Sequence, residues 1–134
     1  MLIEKGRRGV RIVIYLKSVE TIFFPMKIFL IGFMGSGKTY WGKIWAEKNN
    51  LSFFDLDIEI EKSMQLTITE IFETKGEQKF REIESEYLRK FEGKNNFLLA
   101  CGGGTPCFLN NLKWMKSQGR VIYMEASPEK ILKN

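Results

Sequence analysis

The chain has 134 residues, 44% of them apolar and 13% aromatic, which describes one globular domain with a real core and excludes a disordered segment. It contains no histidine, so a Ser-His-Asp triad, a His-based zinc site and a His general base are all excluded. Of the net charge of +5, residues 1–25 carry +3 (five Lys/Arg against two Glu) and the remainder carries +2.

A mildly basic remainder suits an anionic small molecule, and no interleaving of basic and aromatic residues points to nucleic acid. Cys101 and Cys107 have no further Cys or His nearby, so they read as reduced thiols of a cytoplasmic protein and not as zinc ligands. No run reaches the length of a membrane span. Val10–Leu16 is apolar after basic residues but lacks the cleavage site of a signal peptide.

Residues 1–25 read as an N-terminal extension outside the core. Phe23-Phe24-Pro25 looks like a break, and a natural chain could begin at Met26. The alternative is an extra edge strand over Arg11–Leu16. From Lys27 a buried strand leads through Ile31 into Gly32-Phe33-Met34-Gly35-Ser36-Gly37-Lys38-Thr39, which fits the G-x-x-x-x-G-K-[ST] phosphate-loop pattern at every fixed position. The loop amides and the positive end of the following helix form an anion site. Lys38 adds a charge for the outer phosphates, and the Thr39 hydroxyl suits Mg²⁺. The competing reading is a flexible glycine turn.

The helix after the loop runs to about Asn49, with Trp41, Ile44 and Trp45 at packing intervals. Leu51–Phe54 is a second strand that runs into Asp55-Leu56-Asp57. Two acids two residues apart at a strand's carboxyl end point to one side of an extended segment, toward the loop. One could serve a metal and the other a substrate hydroxyl; the plainer reading is that Asp57 caps a helix over Ile58–Ser63.

Thr67–Lys75 should be helical with Thr67 or Thr69 near its start, Gly76 should break it, and Glu77–Phe91 should form a longer helix. Arg81 and Glu84 lie three apart on that helix and face the same way, a device for presenting a guanidinium to a carboxylate, though such pairs are more often solvated salt bridges. Phe97–Ala100 is a third strand, ending in Cys101-Gly102-Gly103-Gly104, where bare backbone could meet a ligand or merely turn. Asn110–Gln118 reads as a helix closed by Gly119, Arg120–Met124 as a fourth strand, and Pro128 as the opening of another helix. This alternation of strands and helices implies a parallel sheet covered by helices on both faces.

From Met26 onward the chain resembles the shikimate kinases of the P-loop, nucleoside-monophosphate-kinase-like group. The matching pieces are Ile31 to Thr39; Phe54-Asp55-Leu56-Asp57 with Ile60-Glu61; Ile71-Phe72 with Gly76-Glu77 and Phe80-Arg81-Glu82-Ile83-Glu84; and Gly102-Gly103-Gly104. The resemblance implies a three-layer α/β/α kinase fold with a parallel sheet, a monomer, and transfer of the ATP γ-phosphate to the 3-hydroxyl of shikimate in aromatic amino-acid biosynthesis. By the same resemblance Gly35, Ser36, Gly37, Lys38, Thr39 and Tyr40 wrap the ATP phosphates, and Thr39 and Asp55 serve Mg²⁺. Asp57 meets the shikimate hydroxyls, Arg81 binds the shikimate carboxylate with Glu84 orienting it, and the Gly102–Gly104 turn contacts the substrate. Lys38 and Asp57 are then the catalytic pair.

Family chains continue into a lid, a further arginine and a last strand that have no counterpart here, so the resemblance covers about 26–134 and implies a chain cut before the lid. Two alternatives stand beside it: another P-loop small-molecule kinase such as a gluconate kinase, and a truncated chain that binds nucleotide without turning it over.

Overall fold

The computed structural model describes residues 2–7, 10–15, 26–32 and 37–126. Six strands form one sheet: β1 (Leu2–Arg7), β2 (Val10–Tyr15), β3 (Lys27–Gly32), β4 (Ser52–Asp55), β5 (Phe97–Ala100) and β6 (Arg120–Ala126). Their order is β1-β2-β6-β3-β5-β4. The helices are α1 (Lys38–Lys48), α2 (Leu56–Met64), α3 (Ile68–Arg89) and α4 (Asn111–Gln118), with a 3₁₀ turn at Thr105–Cys107.

Strand β3 shows why the fold has three layers. All but its first residue are buried, and its side chains alternate between two cores. Ile28 and Leu30 face one cluster with Ala46, Leu98 and Met124, against which Trp41 and Trp45 of α1 pack. Phe29 and Ile31 face the other, with Leu56, Ile60, Ile71, Phe80 and Met115 from α2, α3 and α4. Burying both faces of the sheet this way requires a helix layer on each side.

The parallel part of the sheet is the expected one: β3 pairs with β5 and β6, and β4 pairs with β5, all parallel. The first residues, expected as an extension outside the core, add two strands to the sheet. Val10–Tyr15 pairs antiparallel with β6, from Val10↔Ala126 to Tyr15↔Val121, and Leu2–Arg7 pairs antiparallel with it in turn. The break expected at Phe23-Phe24-Pro25 and the helix expected from Pro128 lie outside the described residues.

Local signals set the remaining boundaries. Thr67 opens α3 with a reciprocal capping box: its hydroxyl accepts from Glu70 N, and the Glu70 carboxylate accepts from Thr67 N. Gly76, with φ 83° and ψ 165°, leaves helical geometry and divides α3 into two helical pieces, where the break was expected. Among the described residues no helix is long and apolar enough to cross a membrane.

Candidate active site

The carboxyl ends of the parallel strands β3, β4 and β5 open toward one side, and a cavity of about 420 Å³ lies there. Its wall has three parts. The first turn of α1 gives Gly37, Lys38, Thr39 and Tyr40; the β4–α2 junction gives Asp55 and Asp57; the end of β5 gives Ala100, Cys101, Gly102 and Gly103. Ligands of open α/β sheets sit in this position.

Gly37 is the N-cap of α1 in the left-handed region, with φ 89° and ψ 24°. Among the described residues no side-chain hydrogen bond caps the helix, and no acid lies in its first turn to oppose the positive dipole end. Lys38 Nζ donates to the Gly32 carbonyl at 2.7 Å, which curls the side chain back along the loop. Burial lowers the Lys38 pKa, while Cys101, Asp57 and Asp55 pull it back up. Gly35 and Ser36 lie outside the described residues.

The aspartates are arranged differently from the expected pair on an extended strand. Asp55 is the last residue of β4 and caps α2, its Oδ1 accepting from Ile58 N at 3.2 Å. Capping therefore belongs to Asp55 and not to Asp57, which sits inside the first turn of α2. Both line the cavity all the same. Thr39 donates its hydroxyl to Asp55 Oδ2 at 3.3 Å, so the residues expected to serve Mg²⁺ are neighbours. Burial, then the charges of Asp55, Glu84 and Glu61, push the Asp57 carboxyl up to about 6, against the pull of Lys38. Burial and the same acidic surroundings push the Cys101 thiol far up, so it lines the cavity as an inert group.

Arg81 stands apart from that wall, on a second hollow of about 280 Å³ with Glu77, Gln78, Glu82, Phe108 and Leu109. It is held tightly. Nη1 donates to Glu84 Oε1 at 3.0 Å, Nη2 lies 3.8 Å from Glu77 Oε1, and the guanidinium carbon sits 4.3 Å from the Phe108 ring centre. Glu84 is 1% exposed, so this is not the solvated pair that spacing alone favours. The glycine turn joins the two hollows. A Cβ on Gly104 would lie 2.6 Å from Arg81 Nη2, and one on Gly102 would lie 3.4 Å from Asp57 Oδ1.

Thr105, Phe108 and Asn111 were not singled out by sequence. Thr105 directly follows the three glycines, which was the one available signal.

The comparisons with known proteins fit this geometry. Residues 34–134 match the family described as shikimate kinase. The chain belongs to the shikimate kinase family. The shikimate kinase of Azobacteroides pseudotrichonymphae is 48% identical over 104 residues, covering 77% of this chain and 61% of that protein. That of Parabacteroides distasonis is 40% identical over 107 residues, covering 80% and 62%.

Among solved structures, the shikimate kinase of Acinetobacter baumannii in complex with shikimate superposes with a TM-score of 0.77 at 35% identity, covering 85% of this chain and 64% of that one. The Bacteroides thetaiotaomicron shikimate kinase gives 0.69 at 42% identity, covering 70% and 53%. The chain thus spans about three-fifths of the length of the curated relatives it matches. The α/β P-loop kinase fold of the shikimate kinases is the fold described above.

Proposed function

We propose that this protein is an ATP-dependent kinase that phosphorylates the 3-hydroxyl of shikimate. The observation that carries the reading is the combination of a phosphate-loop helix end with Asp57 and a buried Glu84-held Arg81, joined by the glycine turn. Phosphoryl transfer needs positioning and charge neutralisation more than covalent chemistry. The α1 amides and Lys38 bind the phosphates. Asp57, half-buried with a pKa pushed up to about 6, is deprotonated near neutral pH yet basic enough to accept the proton of an attacking hydroxyl. Arg81 is the anchor for a carboxylate.

The Thr39 hydroxyl and Asp55 carboxylate are hard oxygen donors and fit Mg²⁺. Among the described residues no group of three acids, Cys or His forms a full protein cage, in keeping with an ion that keeps water and substrate phosphates as ligands. When bound there, Mg²⁺ neutralises charge on the β- and γ-phosphates.

ATP and shikimate are the proposed partners, with neither nucleic acid nor membrane. A monomer belongs to the same reading. The buried Cys101 and exposed Cys107 are both free, in keeping with a cytoplasmic setting. A gluconate kinase reading has less support, because the matching family and relatives are shikimate kinases, while Arg81 would suit the carboxylate of either substrate.

The test is ADP formation with shikimate, with gluconate and with ATP alone. Release that requires shikimate supports the reading; release driven by gluconate, or equal in all three, overturns it.

A further inference from the structure

The buried carboxylate of Glu84 has two partners, and only one of them is Arg81. The Thr105 hydroxyl donates to Glu84 Oε2 at 2.7 Å, while Arg81 occupies Oε1. Thr105 is 0% exposed, so no solvent competes for that bond. Its own backbone is fixed on both sides: Thr105 N donates to the Gly102 carbonyl at 3.1 Å, and Asn111 Nδ2 donates to the Thr105 carbonyl at 2.9 Å. Asn111 is itself fully buried, and its Oδ1 accepts from Ser85 Oγ of α3 at 3.0 Å. A continuous buried chain therefore runs from α4 through the glycine turn to the guanidinium on α3.

We propose that Thr105 is a positioning residue for the substrate carboxylate, acting through Glu84 to fix the plane of the Arg81 guanidinium. The nature of the ligand rests on the shikimate reading above; the mechanical role does not. A carboxylate held at one oxygen can rotate about its last bond. Held at both, it fixes the direction of Oε1 and so the fork that Arg81 presents. Arg81 Nε has no hydrogen-bond partner among the described residues, so the guanidinium's attitude is set by Glu84, by the longer and exposed contact to Glu77, and by the Phe80 and Phe108 rings, of which Glu84 alone makes a buried hydrogen bond. Bidentate recognition of a carboxylate is sensitive to that attitude.

The experiment compares the chain with Thr105→Val, Thr105→Ala and Thr105→Ser by calorimetry with shikimate and, separately, with ADP, and by ¹⁵N NMR of the Arg81 side chain. Loss of one hydrogen bond to a charged group corresponds to about tenfold in affinity. Thr105→Val and Thr105→Ala should weaken shikimate about tenfold, leave ADP unchanged, and speed rotation of the Arg81 guanidinium; Thr105→Ser should restore both. In an Arg81→Ala background Thr105→Val should cost nothing further.

Shikimate loss without a change at Arg81, loss that persists in the Arg81→Ala background, equal loss for ADP, or no rescue by serine would each overturn the proposal. If Thr105→Val does not fold, Thr105→Ala is held to the same criteria. A parent chain that binds no shikimate would overturn the functional reading, and Arg81 rotation alone would then decide the role of Thr105.

Discussion

Gly104 and Arg81 are so close that a methyl group on the first would sit 2.6 Å from Nη2 of the second. The glycine has φ −92° and ψ −10°, a conformation any residue adopts, so an alanine there meets no backbone strain. Its only conflict is with the end of a long side chain. Gly104→Ala should therefore push the guanidinium aside, and the thermal midpoint should fall to the extent that the buried Glu84 carboxylate loses its partner. We expect shikimate affinity to fall by roughly 10- to 150-fold and nucleotide affinity to stay, since a displaced bidentate contact loses on the order of 1.5–3 kcal/mol. A calorimetric titration of each ligand checks this; equal losses would mean that the whole turn has moved.

Asp57 gives a pH prediction whose sign is opposite to that of an ordinary salt-bridged carboxylate. Its pKa rises from 3.8 to about 6 on folding. Between those values the folded state holds a proton that the unfolded state has released, so stability falls as pH rises through the window, and the full cost is present above about 6. Asp57→Asn removes that cost. The variant should melt higher than the parent at pH 8, by up to about 3 kcal/mol if the whole shift is expressed, with the advantage fading as pH falls toward 4. The same substitution should abolish shikimate phosphorylation, the trade expected when a group strained by its surroundings is functional. Thermal melts from pH 4 to 8 check the first half and a turnover assay the second.

Lys38→Ala should reduce phosphoryl transfer by about 10²–10³ or more, because developing phosphate charge loses its cation beside the α1 amides. The Lys38 ammonium is partly desolvated and close to Asp55 and Asp57, so its removal leaves those acids facing one another. The Asp57 pKa should rise further in the variant, moving its pH–stability window upward. Near-normal turnover, measured against an active parent, would remove Lys38 from the mechanism.

Deletion of residues 1–25 tests what the N-terminal strands contribute. Val10–Tyr15 pairs along β6, whose Val121 and Met124 lie in the buried core. Stripping it leaves the β6 edge unpaired. The thermal midpoint should drop by several degrees, at roughly 4 °C per kcal/mol for a domain of this size, and the shortened chain should aggregate more readily. An unchanged midpoint would mean that the hairpin adds nothing to the core.

The sequence made the centre of this molecule legible because its signals are local. The apolar β3 and the fixed positions of the phosphate loop announced a strand, a turn and a helix. Thr67 and Gly76 marked α3 through capping and backbone freedom within a few residues. Where the partner is distant the signal disappears. The bond between Thr105 and Glu84 spans 21 residues and that between Ser85 and Asn111 spans 26, so neither leaves a periodic trace. The pairing of Val10 with Ala126 joins the two ends of the chain, which is why an extension outside the core was the simpler expectation. Asp55 and Asp57 were read as strand neighbours, but the chain turns into α2 between them. Their convergence on the cavity depends on that turn and not on strand alternation.

The most direct measurement is a calorimetric titration of shikimate into the chain and into Arg81→Ala, each with ADP and Mg²⁺ present and each paired with a titration of ADP alone. The account predicts that the parent binds shikimate and that Arg81→Ala loses on the order of 1.5–3 kcal/mol of that binding while its ADP affinity is unchanged. Equal losses for both ligands, or shikimate binding that does not depend on Arg81, would contradict it.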